Sequence, residues 1–194
     1  MKRKYIILLL LPLCLVLLSF SQSMGADTKK GFIGAETCQE CHESQYESYA
    51  KSIHSRKVIK GPASQDACEA CHGAGAMHVE KGGGRDVDIF AFDADVDPKA
   101  KSAKCLACHQ KTHEMDEWNQ GAHIRNDVSC DSCHDLHADG SQRPSQPEVC
   151  FDCHKSVRFD VNKRSHHPIL EGKVKCTSCH SPHGSISRAM VKTD

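Results

Sequence analysis

The sequence predicts short α-helices and loops with little or no β-structure, packed around something other than their own side chains. Three observations predict it. Aromatic residues are only 5% of the 194, and the apolar share of 39% is inflated by 13 Cys, which is too little for an ordinary core. Beyond the N-terminus, no stretch keeps an amphipathic period long enough for a helix bundle or a sheet. Every cysteine but Cys14 falls into one repeated pentapeptide.

The chain opens with Met1-Lys2-Arg3-Lys4, an apolar run from Tyr5 to Phe20, and a polar Ser21-Gln22-Ser23-Met24-Gly25-Ala26. This is the layout of a secretory signal peptide, with cleavage expected after Ser23 or Ala26. The apolar run is short for a spanning helix, so no integral membrane segment is expected after processing. Cys14 would leave with the peptide. Loss of residues 1–26 removes Lys2, Arg3 and Lys4 and no acid, leaving 22 bases against 25 acids, a net charge of −3. A nucleic-acid partner is disfavoured, because phosphate binding needs clustered Lys and Arg.

The repeated pentapeptide is Cys-x-x-Cys-His: Cys38/Cys41/His42, Cys68/Cys71/His72, Cys105/Cys108/His109, Cys130/Cys133/His134, Cys150/Cys153/His154 and Cys176/Cys179/His180. One tight turn presents two thiols to the vinyl groups of a single haem while the following His reaches the iron. Disulfide pairing and zinc binding are the competing uses of such cysteines. Neither asks for a His immediately after every pair. Six covalently bound haem c groups are therefore expected, and with them a multihaem cytochrome c fold wrapped round a haem row.

Eight histidines remain: His54, His78, His113, His123, His137, His166, His167 and His183. Their placement divides the chain into three dihaem units. His54 follows Cys38 by 16 residues, His123 follows Cys105 by 18, and His167 follows Cys150 by 17; His78, His137 and His183 trail the second motif of each unit. These six are the expected distal iron ligands, with His167 preferred to adjacent His166 because it matches the small-x-His pattern of Ser52-Ile53-His54 and Gly121-Ala122-His123. His113 and His166 fall outside the repeat. Met77 and Met115 are weaker candidates. Two imidazoles on one iron leave no open position, which is the chemistry of electron transfer rather than catalysis. No catalytic residue is assigned.

The expected organisation is a signal peptide at 1–26, a first dihaem unit with an acidic loop at 27–104, a second unit at 105–149 and a third at 150–194, joined as one hexahaem domain. Helices of about 8–12 residues should carry or bracket the motifs, with Glu43 to Ile53 the best candidate. Gly61-Pro62, Gly82-Gly83-Gly84, Asp97-Pro98, Pro144 to Pro147 and Ser181-Pro182-His183-Gly184 punctuate the rest as loop. Asp93 to Asp97 resembles the start of a calcium loop, but Pro98 and Lys104 stand where Gly and Glu are needed. A solvated acidic loop is expected there, with Ile89, Phe90 and Phe92 tucked against haem and Trp118 at a porphyrin edge.

Ser52-Ile53-His54, Cys71-His72-Gly73-Ala74-Gly75-Ala76-Met77-His78-Val79-Glu80, Cys150-Phe151-Asp152-Cys153-His154-Lys155, Ser165-His166-His167-Pro168 through Gly172, and Cys179-His180-Ser181-Pro182-His183-Gly184 resemble the DmsE/MtrA-type multihaem c-type cytochromes over nearly the whole of the processed chain. The resemblance implies a periplasmic, bis-His electron carrier, in some members seated in an outer-membrane porin. Familiar members carry ten haems. A row of six argues against a crossing of about 40–45 Å. The expected function is periplasmic electron transfer towards an outer-membrane or extracellular acceptor, with a quinol-linked donor, a porin or other cytochromes as partners. Localisation is the periplasm, outer-membrane associated, or extracellular. Two other readings are a small reductase of nitrite, hydroxylamine or sulfur oxyanions, which would need an open iron, and a subunit of an extracellular cytochrome filament.

Overall fold

The computed structural model describes residues 31–58, 60–137 and 144–192. The expected signal peptide and its cleavage sites lie outside the described residues. Among the described residues the fold is short helices and loops, and the only β-pairing is an isolated antiparallel bridge between His180 and Val191. No helix there is long and apolar enough to cross a membrane.

Most helices are shorter than the sequence suggests. Ala35–Gln39, Glu69–His72, Ala76–Glu80, Ala122–Arg125, Glu148–Phe151, Lys155–Asp160 and Cys176–Cys179 span four to six residues, and only Glu43–Lys51 and Pro98–His109 reach 9 and 12. The expected helix over Glu43 to Ile53 stops at Lys51, where Ser52 turns extended and Ile53–Ser55 continues as a 3-10 turn carrying His54. Asp97-Pro98, read as loop punctuation, instead starts the longest helix. The Asp97 carboxylate accepts the Ala100 amide at 3.0 Å, and Pro98 occupies a first-turn position whose missing N–H costs nothing.

Apolar burial is sparse. Trp118, Ile124, Phe151 and Val161 are the buried hydrophobic side chains among the described residues. Several interior positions are polar instead, and they pin the haem motifs to one another. Lys101 is buried against Asp131 at 3.1 Å, which ties the helix leading into Cys105 to the loop between Cys130 and Cys133. Glu69, within the second motif and 4% exposed, accepts the backbone amides of Ile33 at 3.1 and 3.2 Å, Gly34 at 2.9 Å and Gly75 at 2.8 Å. One carboxylate thus holds the segment before the first motif against the turn after the second. Bonds of this charge-assisted kind contribute about 1.5–3 kcal/mol each. Glu69→Ala should therefore lower the stability of the haem-loaded protein by roughly 3–5 kcal/mol, read as a fall in melting temperature of roughly 10 °C. A change under about 0.5 kcal/mol, the scale of an ordinary surface substitution, would refute that role.

Candidate haem-binding sites

Each motif is built on one helical turn. The motif histidine N–H donates to the first cysteine's carbonyl at 2.9 Å in Cys38–His42, Cys130–His134, Cys150–His154 and Cys176–His180, and at 3.0 Å in Cys68–His72. The Cys105 motif forms the last turn of Pro98–His109. Residues three and four apart share a helix face, so this turn places both sulfurs on one side with the imidazole beside them. All twelve motif cysteines are free thiols, and no group of three or more metal-ligating side chains gathers among the described residues.

The histidines meet in pairs. Ring centres lie 6.3 Å apart for His42 and His78, 6.1 Å for His54 and His109, 6.2 Å for His72 and His137, 6.1 Å for His123 and His154, and 6.0 Å for His134 and His183. Two metal–nitrogen bonds of about 2.0–2.1 Å, plus the ring radius on each side, require a separation of about 6 Å. Each pair joins one motif histidine to one of the spare histidines. The spacing is that of two axial ligands on one iron.

The ring nitrogens are oriented for the same purpose. Nδ1–H donates to a backbone carbonyl in four of the candidate ligand rings: His72 to Phe90 at 2.8 Å, His78 to Val87 at 2.9 Å, His123 to Pro182 at 2.8 Å and His180 to Ala189 at 2.8 Å. This fixes the tautomer and leaves Nε2 bare for a metal. Burial, and then neighbouring charge, also lowers the pKa of His54 and His183; burial is again the largest influence on His72, whose pKa is lowered. Lowered values favour the neutral imidazole that ligation requires.

These carbonyls, in residues of no distinctive type, have no signature in the sequence. The acidic stretch supplies two of them, from Val87 and Phe90, and Phe92 packs edge-on against His72 at 5.5 Å. It is a supporting wall of the second site. Arg85 pairs with Asp93 and Lys81 with Asp88, so two of its acids are engaged with bases. Ser181–Gly184 is a second hub: the Pro182 carbonyl holds His123, while His183 stacks against His134. Gly184, at φ +133, packs so closely that a Cβ would lie 2.2 Å from the Glu117 carbonyl oxygen.

The cysteines add an order. The Cys38 thiol hydrogen-bonds that of Cys68, which raises the first and lowers the second to about 7; Cys105 and Cys130 do the same, with Cys130 lowered to about 6. Burial and then Cys176 raise Cys150 to about 12. Between units, the second cysteines approach: burial and then Cys108 raise Cys71, and burial and then Cys153 raise Cys133. Electrostatic influence therefore links cysteines of successive motifs along the chain, alternately through first and second cysteines.

One predicted ligand, His167, stands apart, as do the two histidines outside the repeat. His167 is exposed and its ring meets no other ring among the described residues, and neither does that of exposed His113. His166 has both nitrogens engaged, by the Lys163 carbonyl and by Glu171 at 3.0 Å.

The residues fit haem on three counts: paired imidazoles at axial spacing, thiols on one face of each turn, and a polypeptide with few buried apolar groups. The buried Trp118 Nε1–H, without a partner among the described residues and edge-on to His183, suits a carboxylate such as a haem propionate. Comparison with known proteins points the same way. The family described as cytochrome c-type protein NrfB-like matches residues 68–143, cytochrome c3 matches 122–192, and cytochrome c554 and c-prime matches 37–67. Multiheme cytochrome MtrA of Shewanella baltica (strain OS185) is 33% identical over 160 residues, covering 79% of this chain and 47% of the relative. The chain thus spans about half the length of that curated relative.

Proposed function

The chain belongs to the multihaem c-type cytochromes, and from that premise we propose that it binds six haem c groups and carries electrons in single file between redox partners. The observation that carries this reading is the set of five imidazole pairs at 6.0–6.3 Å. Low-spin iron porphyrin held by two imidazoles changes oxidation state with its ligands retained. The protein's contribution is to hold both imidazoles, fix their tautomers through backbone carbonyls, and keep successive sites adjacent through neighbouring cysteines. Cys38, Cys41, Cys68, Cys71, Cys105, Cys108, Cys130, Cys133, Cys150, Cys153, Cys176 and Cys179 carry the thioethers. His42, His72, His109, His134, His154 and His180 are the proximal ligands.

The ring distances support a distal side made of His78 opposite His42, His137 opposite His72, His54 opposite His109, His183 opposite His134 and His123 opposite His154. The exporting leader and the resemblance to MtrA support a periplasmic location, with a quinol-linked donor and an outer-membrane or extracellular acceptor. The acidic processed chain suits protein partners rather than nucleic acid. Intact mass of protein matured in a haem-ligating host should exceed the processed polypeptide by six haems. A mass short of six, or thiols free to alkylation at any motif, would defeat the reading.

A further inference from the structure

The five imidazole pairs share a spacing but not an angle. The ring planes are near parallel in His42–His78 at 24°, His72–His137 at 27° and His134–His183 at 25°, and tilted by 56° in His123–His154. In His54–His109 they meet at 81°, close to perpendicular. Two separate elements set that angle. His109 ends the twelve-residue helix Pro98–His109, which Asp97 caps and the Lys101–Asp131 pair anchors. His54 sits on the 3-10 turn Ile53–Ser55, reached through extended Ser52. The Tyr49 hydroxyl donates to the His54 carbonyl at 3.0 Å. The Ser55 hydroxyl lies 2.8 Å from the Ser52 carbonyl and 2.9 Å from that of Ala50, so the turn is tied back to the helix before it.

The angle matters because each axial imidazole donates π-density into one of two iron d orbitals, chosen by the direction its ring faces. Parallel rings both raise the same orbital, whose electron is then easier to remove, and ferric iron is favoured. Perpendicular rings raise one orbital each and leave the two close in energy. Ferrous iron is then retained more readily, and the ferric ion keeps orbital angular momentum, which makes its low-spin resonance strongly anisotropic. Hydrogen bonding acts in the same sense. His78, His72 and His123 donate Nδ1–H to carbonyls at three of the other sites, which raises ligand basicity and favours ferric iron there. The His54 Nδ1, shielded from solvent, has no acceptor among the described residues. The site also has neighbours on both sides: the Cys105 thiol hydrogen-bonds Cys130 of the fourth motif, and Cys108 acts on Cys71 of the second.

We propose that the haem carried by Cys105, Cys108 and His109, with His54 as its perpendicular distal ligand, is the electron-holding site of the row. It has the most positive potential of the five paired sites and stays reduced when the others are oxidised. This rests on the six-haem reading and deepens it, since a row with an interior well stores one electron between deliveries instead of passing each down an even slope.

The test uses the full matured protein after mass has fixed its haem count. Electron paramagnetic resonance of the oxidised form should show a strongly anisotropic low-spin haem beside three of the rhombic kind that near-parallel rings produce. On stepwise reduction the anisotropic signal should disappear before the rhombic ones. Paramagnetic NMR of the native protein, with haem methyls assigned at the Cys105/Cys108 attachment, should show that haem reduced ahead of the other four paired haems. His54→Ala should abolish the anisotropic signal. Six haems without that signal, its survival in His54→Ala, or reduction of the Cys105 haem after any near-parallel site would overturn the inference and leave the six-haem reading standing. A mass lacking the Cys105 haem would overturn both.

Discussion

With all twelve motif cysteines replaced by serine, the chain should be colourless and show no cooperative unfolding transition. The buried hydrophobic side chains among the described residues number four, Trp118, Ile124, Phe151 and Val161. Each contributes about 1.5–3 kcal/mol, against an ordering cost of about 1–2 kcal/mol for every backbone residue fixed. The polar ties add specificity more than stability. Lys101 with Asp131, and Glu69 with its three amides, hold motifs in place; breaking them is costly because it strands buried partners, but desolvation of the buried charges offsets much of what the intact ties contribute. Prosthetic groups have to supply the missing apolar contact, as structural metals do for small domains that fold only when loaded. Circular dichroism during thermal and denaturant titration is the check. A sigmoidal transition in the haem-free chain, with native-like helix content, would mean that side chains alone specify this fold.

Much of the site was legible in the sequence because its chemistry is local. A thioether-forming turn needs two cysteines three apart and a histidine at the next position, and nothing longer-range. Five of the spare histidines were legible as candidates because they recur at matched offsets from the motifs, as His54 and His123 do; His167, at a similar offset, meets no ring among the described residues. Which ring faces which was not. The repeat gives each unit two spare histidines without saying which iron each serves, and four of the five observed pairs cross between units. The crossing depends on three-dimensional stacking of units, which a one-dimensional period does not encode.

The backbone carbonyls of Val87, Phe90, Pro182 and Ala189 were invisible for a related reason: orientation by a main-chain oxygen depends on loop path, not residue type. Asp97-Pro98 shows a different limit. Its residues suit a turn and a helix start equally, and only the twelve-residue run that follows, ending in a haem motif, decides between them. The helices fell short of the expected length because the motif turn itself is the unit of structure. Four or five residues complete it, and the chain then departs to reach the next site.

Crossed ligation makes a prediction that unit-by-unit wiring does not. His137→Ala should leave all six haems attached and yet change the haem of His72, whose motif begins 69 residues upstream at Cys68. That iron should become five-coordinate and high-spin, CO uptake should rise by one per chain, and its potential should shift by an amount on the order of 0.1 V, within the span of about 0.8 V that axial ligation controls. Exposed His137 contributes little to packing, so the substitution should act through the metal rather than through the fold. Paramagnetic NMR of haem methyl groups at the Cys68/Cys71 attachment identifies the altered site. His113→Ala, which removes a ring that meets no other, should change none of these quantities. If His137→Ala instead altered the haem of His109 or His134, each unit would be self-sufficient. The reciprocal links that bind the first unit to the second, His72 with His137 and His109 with His54, would then have to be abandoned together, since both rest on the same stacking of the two units.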